Sequence, residues 1–115
     1  MKQSDQQRIN KIYEYASKLD RYVKDKGITR EDLLTDFAIQ WLITTPLYNI
    51  GEHAYNLSSE YKEKHSDIPW HMISGLRHRL VHDYDAINWN MLANVVLDDI
   101  PDLIVQLKKV VEQEH

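Results

Sequence analysis

The chain contains no cysteine. Disulfide scaffolds, thiol nucleophiles and Cys-ligated zinc or iron–sulfur centres are thereby excluded, so any chemistry must come from other side chains. Glycine and proline are also scarce, with three of each in 115 residues. That leaves little turn chemistry for a sheet, and no alternating apolar run or Asn-Gly hairpin signal is present. No apolar run approaches the roughly 18 residues of a membrane span, and the opening MKQSDQQRIN lacks the apolar core of a signal peptide. There is no low-complexity tract and no internal repeat. The expectation is an all-α, cytoplasmic protein with no membrane association.

What is present suits one core: 43% of the residues are hydrophobic, which is enough for a single helical domain over residues 1–115 but not for two. Ser4 with Gln7 reads as a capping box, and Ile9, Ile12, Tyr13, Ala16, Leu19, Tyr22 and Val23 then recur at helical spacing over a first helix of about residues 5–25. Gly27 supplies a left-handed cap. Thr29 with Asp32 opens a second helix whose apolar face is Leu33, Leu34, Phe37, Ala38, Trp41, Leu42, Leu47, Ile50, Ala54 and Leu57. Pro46 should bend that helix without ending it before about Tyr61. Residues 62–67 read as a loop and Pro69 as a first-turn proline. The third helix buries Trp70, Ile73, Leu76, Leu80 and Val81 and stops at His82. Asn88 caps the last helix, with Trp89, Leu92, Val95, Val96, Leu103, Ile104, Leu107, Val110 and Val111 as its stripe and Pro101 as a possible split. Short connections between such helices predict an antiparallel bundle of four helices, or five if Pro101 divides the last. Trp41, Trp70 and Trp89 are assigned to the core.

The formal charge is -4, from 14 Lys+Arg and 18 Asp+Glu, so the global positive field usual in nucleic-acid binders is missing. Its distribution is uneven. Between Tyr61 and His82 the chain carries Lys62, Lys64, Arg77 and Arg79 against Glu63 and Asp67, a local +2, leaving -6 elsewhere; four of the six histidines, His65, His71, His78 and His82, lie there too. Imidazole moves protons near neutral pH and guanidinium grips phosphate through two N–H donors, so this combination suits phosphate chemistry. A solvated, mildly basic helix face is the plain alternative.

The segment Gly75-Leu76-Arg77-His78-Arg79-Leu80-Val81-His82-Asp83-Tyr84 places Arg, four residues, His, one residue, Tyr. This resembles the RxxxxHxY motif of the HEPN superfamily, the helical nucleotide-binding and ribonuclease domains of higher eukaryotes and prokaryotes. It is most similar to the HepT-type toxins, which are paired with minimal nucleotidyltransferase antitoxins. Ile68-Pro69-Trp70 upstream, Ile50-Gly51-Glu52 on the preceding helix and the acidic run Asp98-Asp99-Ile100-Pro101-Asp102-Leu103-Ile104 downstream extend the likeness over roughly residues 30–110. His78 follows the motif arginine where asparagine is more usual, and Thr44-Thr45-Pro46 departs from the pattern. The resemblance implies a HEPN-type bundle and a metal-independent endoribonuclease toxin needing no cofactor. It also implies an RNA substrate, a nucleotidyltransferase antitoxin as partner, and a homodimer, alone or within a larger hetero-oligomer.

In such a site His82 is the general base or acid for RNA's internal 2′-hydroxyl attack, and Arg77 stabilises the phosphoryl charge. His78, Arg79, Lys62 and Lys64 are supporting or RNA-guiding candidates, although Arg79 is also placed to pair with Asp83. Tyr84 is implied to be the residue that the antitoxin modifies with AMP; otherwise it is an aromatic closing the bundle. Arg77 and His82 lie roughly 140° apart around an ideal helix, so either the helix unwinds or two copies share the site. The stretch from Asp83 to Asp102, without Lys or Arg, suits a basic partner or a plain solvated face. Two other readings stand beside this one. His78 and His82 as i,i+4 metal ligands would need His53, His71 or Asp83 to complete the shell, and the HExxH pattern is absent. A noncatalytic nucleotide- or protein-binding module would use the same surface without turnover.

Overall fold

In a computed structural model, which describes residues 4–113, the backbone forms seven α-helices and no strand among those residues. They are α1 Asp5–Asp25, α2 Arg30–Thr35, α3 Phe37–Tyr55, α4 Ser59–Lys64, α5 Trp70–His82, α6 Trp89–Asn94 and α7 Ile100–Gln113. A 3₁₀ turn, Tyr84–Ala86, follows α5, and a π-helical turn, Val95–Asp99, joins α6 to α7. The four long pieces, α1, α3, α5 and α6–α7, pack antiparallel. Asp5 at the start of α1 accepts from Ser58 N at 2.9 Å and Ser58 Oγ at 2.6 Å just past α3. Val23 at the end of α1 lies across a cleft from Val96 and Pro101. Between them runs one core, in which Ile9, Ile12, Leu33, Ile43, Leu47, Ile50, Leu76, Leu92 and Leu107 are fully buried.

Several expectations hold because they rest on local chemistry. Ser4 Oγ accepts from Gln7 N at 3.1 Å while Gln7 Oε1 accepts from Ser4 N at 2.9 Å, and Thr29 with Asp32 repeats the box at the start of α2. Gly27 is left-handed at φ 61°. Asn88 Oδ1 caps α6 through Met91 N at 3.1 Å.

The long second helix does not form as expected. Asp36 is extended (φ -96°, ψ 105°), and its carboxylate accepts from Ala38 N and Ile39 N. It therefore ends α2 and caps α3. Pro46 lies inside α3, which runs through it. A second stop falls after Tyr55, where Ser58 Oγ caps a new helix through Tyr61 N at 3.1 Å, so residues 62–64, expected in a loop, are helical. The restart at Asp36 also shifts the apolar face over the first turns of α3: Phe37 and Trp41 are each 62% exposed and Leu42 is exposed as well, contrary to their assignment to the buried face, whereas Ile43 is fully buried and the expected Leu47, Ile50 and Ala54 stay in the core. On α5, Val81 is exposed where burial was expected. Trp70 is buried and Trp89 half-buried, so of the three tryptophans only Trp41 leaves the core. Pro69 takes the N-cap of α5, one residue before the helix. Pro101 does not split the last helix. Its ring would collide with the Leu97 carbonyl in a regular α-turn, and the chain widens just upstream, with Ile100 N donating to Val95 O.

Candidate active site

Helix α5 carries the Arg77/His82 segment, and its register against α3 is set by Gly51. A Cβ at that position would sit 2.8 Å from Arg77 N and 3.1 Å from Ile73 O, so only glycine lets the two backbones approach this closely. The neighbouring Glu52 is then opposite Arg77, whose Nε donates to Glu52 Oε2 at 3.3 Å. The Arg77 guanidinium also lies over the Tyr55 ring, 4.2 Å from its centroid.

Glu52 has further donors in Tyr48 Oη at 3.0 Å and Asn56 Nδ2 at 3.0 Å. Partial burial acts to raise its pKa, but the hydrogen bonds from Tyr48 and Arg77, the Arg77 charge and Asn56 together hold it below the ordinary carboxylate value. Tyr48 shifts the other way, upward, because its hydroxyl donates to that carboxylate and lies in its field. Glu52 is thus an ionised anchor for Arg77. Sequence reasoning placed Glu52 near the motif but gave it no role; the glycine directly before it was the available signal, since a glycine inside a helix marks a close approach.

The other predicted residues fall into two groups. Lys62 Nζ donates to Tyr55 O at 3.3 Å and lines an open cleft of about 380 Å³ with Tyr55, Trp70, His71 and Ser74, beside the stacked Arg77. Lys64 is exposed at the end of α4. At the far end of α5, His82 is exposed, its ring 4.9 Å from that of His78, and His78 Nε2 lies 3.8 Å from Asp83 Oδ2. Asp83 therefore lies against His78 and not against Arg79, whose Nη1 donates to Met91 Sδ at 3.8 Å. Tyr84 is half-buried in the 3₁₀ turn, its ring edge-on to Trp89 at 5.9 Å. The helix stays regular as far as His82, and no contact joins Arg77 to His82 within the chain among the described residues. Nor do three His, Asp or Glu side chains converge on one point there, so His78, His82 and their suggested partners do not form a cluster.

The Ribonuclease HepT-like family matches residues 12–110, which contain every residue just described. The chain belongs to the HepT-like ribonuclease family. Relatives agree in name. The "Putative RNase" of Caldanaerobacter subterraneus subsp. tengcongensis is 37% identical over 89 residues, covering 77% of this chain and 80% of that protein. The "Probable ribonuclease HepT" of Thermococcus cleftensis is 29% identical over 109 residues, 95% of this chain and 97% of that one. A "Putative RNase" of Methanocaldococcus jannaschii is 30% identical over 101 residues, 88% and 87% of the two chains. No solved structure gives a significant match. The all-α bundle agrees with the fold expected of a HEPN-type member of this family.

Proposed function

We propose that this HepT-like chain is a metal-independent endoribonuclease toxin whose site is completed by a second copy of itself. The observation that carries the reading is the Arg77–Glu52 contact: a guanidinium fixed through Nε keeps its terminal nitrogens for a phosphate. In the reaction, one histidine removes the proton of a 2′-hydroxyl and the freed oxygen bonds to phosphorus. The P–O5′ bond then breaks, and the departing oxygen takes a proton from an acid. The products are a 2′,3′-cyclic phosphate and a 5′-hydroxyl. His82 supplies base or acid function, with His78 beside it; Arg77 balances the phosphoryl charge; and Lys62, Lys64 and Arg79 guide the backbone.

The dimer is supported by the separation of Arg77 and His82 on one regular helix and by Val81, an apolar side chain 54% exposed beside His82. The regulatory part of the proposal is that a nucleotidyltransferase antitoxin adds AMP to Tyr84. Its half-exposed position one residue past Asp83 would set a charged phosphate next to the histidines. This antitoxin pairing sits within a cytoplasmic toxin–antitoxin complex.

Purified protein should cleave RNA in EDTA, and Arg77→Ala and His82→Ala should each lower the rate by about 10²–10⁴-fold. Equal rates in all three would refute the assignment. Mixing the two inactive variants should restore part of the activity through heterodimers, which a site contained in one chain could not do. Co-expression with the antitoxin should add the mass of one AMP to the peptide holding Tyr84; an unmodified peptide from an active pair would remove that part of the reading.

A further inference from the structure

A cleft of about 240 Å³ opens directly beside the motif, between the end of α5, the 3₁₀ turn and α6. Its apolar walls are Ala86, Ile87, Met91 and Leu92, and its polar residues are Asn88, whose Oδ1 is taken up by Met91 N, and Arg79 and Asp83, which flank the proposed catalytic His82 in the chain. This volume lies below the roughly 300–1,000 Å³ of pockets that hold drug-sized ligands, so it fits one flat ring system and not a longer segment of chain. The floor is held in place. Asn88 caps α6, and Arg30 Nη2 ties α6 to α2 through Asn90 O at 3.2 Å and Asn94 Oδ1 at 2.8 Å. Arg79 is held against the same wall by Met91 Sδ.

We infer that this cleft receives the nucleobase next to the scissile phosphate and prefers guanine. The inference rests on the ribonuclease reading above. Single-stranded RNA is read by unstacked bases that turn outward into such pockets and present their hydrogen-bonding edges. Apolar walls suit the faces of the ring. A guanidinium and a carboxylate lining the same cleft call for an edge with paired acceptors and an edge with paired donors. Guanine offers both: O6 and N7 accept from an arginine fork, and N1–H with the N2 amino group donates to a carboxylate. The other bases lack one of these pairs.

The test uses the whole chain and two readouts. In the first, short single-stranded RNAs blocked by 2′-O-methyl groups, each with one central G, A, C or U, are titrated while the methyl signals of Met91 and Ile87 are followed by NMR. The G oligonucleotide should shift those signals at about tenfold lower concentration than the others, the discrimination typical of one bidentate base contact. In the second, the ends of cleaved RNA are sequenced. Wild-type cuts should cluster beside G, and Asp83→Asn and Ala86→Phe should each reduce that bias together with the total rate. Both positions are exposed, and Asp83→Asn changes no volume to speak of, so it tests the idea even if the larger substitution disturbs the turn. Equal shifts for all four oligonucleotides, or cuts without base bias, would overturn the pocket while leaving the ribonuclease standing. Shifts selective for G without cleavage of any unblocked RNA would uphold the pocket and overturn the ribonuclease.

Discussion

Gly51→Ala isolates the device that aligns α3 with α5. Inside a helix the change should help, because alanine is favoured over glycine by about 1 kcal/mol. Here the added methyl would meet Arg77 N at 2.8 Å and Ile73 O at 3.1 Å. Both are backbone atoms within α5, so no side-chain rotation relieves the clash and the two helices must separate. Overpacking of this kind costs ~1–3 kcal/mol. With rigid atoms on both sides the upper end applies, leaving a net loss of about 2 kcal/mol after the propensity gain. For a domain just over 100 residues that corresponds to a fall in Tm of about 8 °C. Gly75→Ala is the contrast on the partner helix: nothing lies within 4 Å of its added Cβ, so the propensity gain is unopposed and Tm should rise by about 4 °C. Thermal unfolding followed by circular dichroism measures both. A Gly51→Ala protein as stable as wild type would show that the close approach of the helices does not set the register.

Glu52→Gln should lower RNA cleavage by about tenfold through a less well-held Arg77, and should let Tyr48 ionise at lower pH in a spectrophotometric titration; an unmoved Tyr48 would deny the contact. Lys62→Ala should reduce the slope of log affinity against log salt for single-stranded RNA by about 0.7, the signature of one lost phosphate contact, and an unchanged slope would take Lys62 off the RNA path. His53 accepts from Arg8 Nη1 at 3.2 Å, and burial first, then the charges of Arg8 and Lys11, hold its pKa below the ordinary 6.5. The unfolded chain therefore takes up that proton first, so stability is complete above about pH 6.5 and declines as pH falls through it, levelling once the folded ring also protonates. His53→Gln should flatten the Tm profile as pH falls below about 6.5, and parallel profiles would refute the assignment.

The parts of the fold legible in the sequence are those set within one turn of chain. Ser4, Thr29, Gly27 and Asn88 each act on a backbone group a few residues away, and their types announce that action. The later face of α3 was legible, since Leu47, Ile50 and Ala54 are buried as their spacing implied. Its first turns were not, because periodicity counted through Asp36 carries the phase of α2 into a helix that starts afresh; Ile43 takes the core position there, and Phe37 and Trp41 pack on one another outside it with ring centroids 4.9 Å apart. Pro101 announced a disturbance but not its form, since a broken helix and a π-turn relieve the same clash. The Arg77/His82 segment was visible in its spacing. The partnership of Arg77 with Glu52 was not, because a contact between residues 25 apart depends on the register of two helices.

That register bears on why one chain would be insufficient. Around α5, the exposed face runs from His71 through His78 to Val81 and His82. Arg77 borders it on one side and Arg79 on the other, roughly 200° away on an ideal helix. Each arginine is drawn off the face by its own neighbour, Arg77 toward Glu52 and Tyr55 on α3, and Arg79 toward Met91 on α6. The histidines of α5 are thus left on the open surface, and among the described residues no guanidinium contacts them. A phosphate resting on His82 would need its charge balanced from outside the helix that carries it. In the proposed dimer, two-fold pairing of this face would turn the Arg77 edge of one copy toward the His82 end of the other, which is the arrangement that recovery of activity on mixing Arg77→Ala with His82→Ala would report.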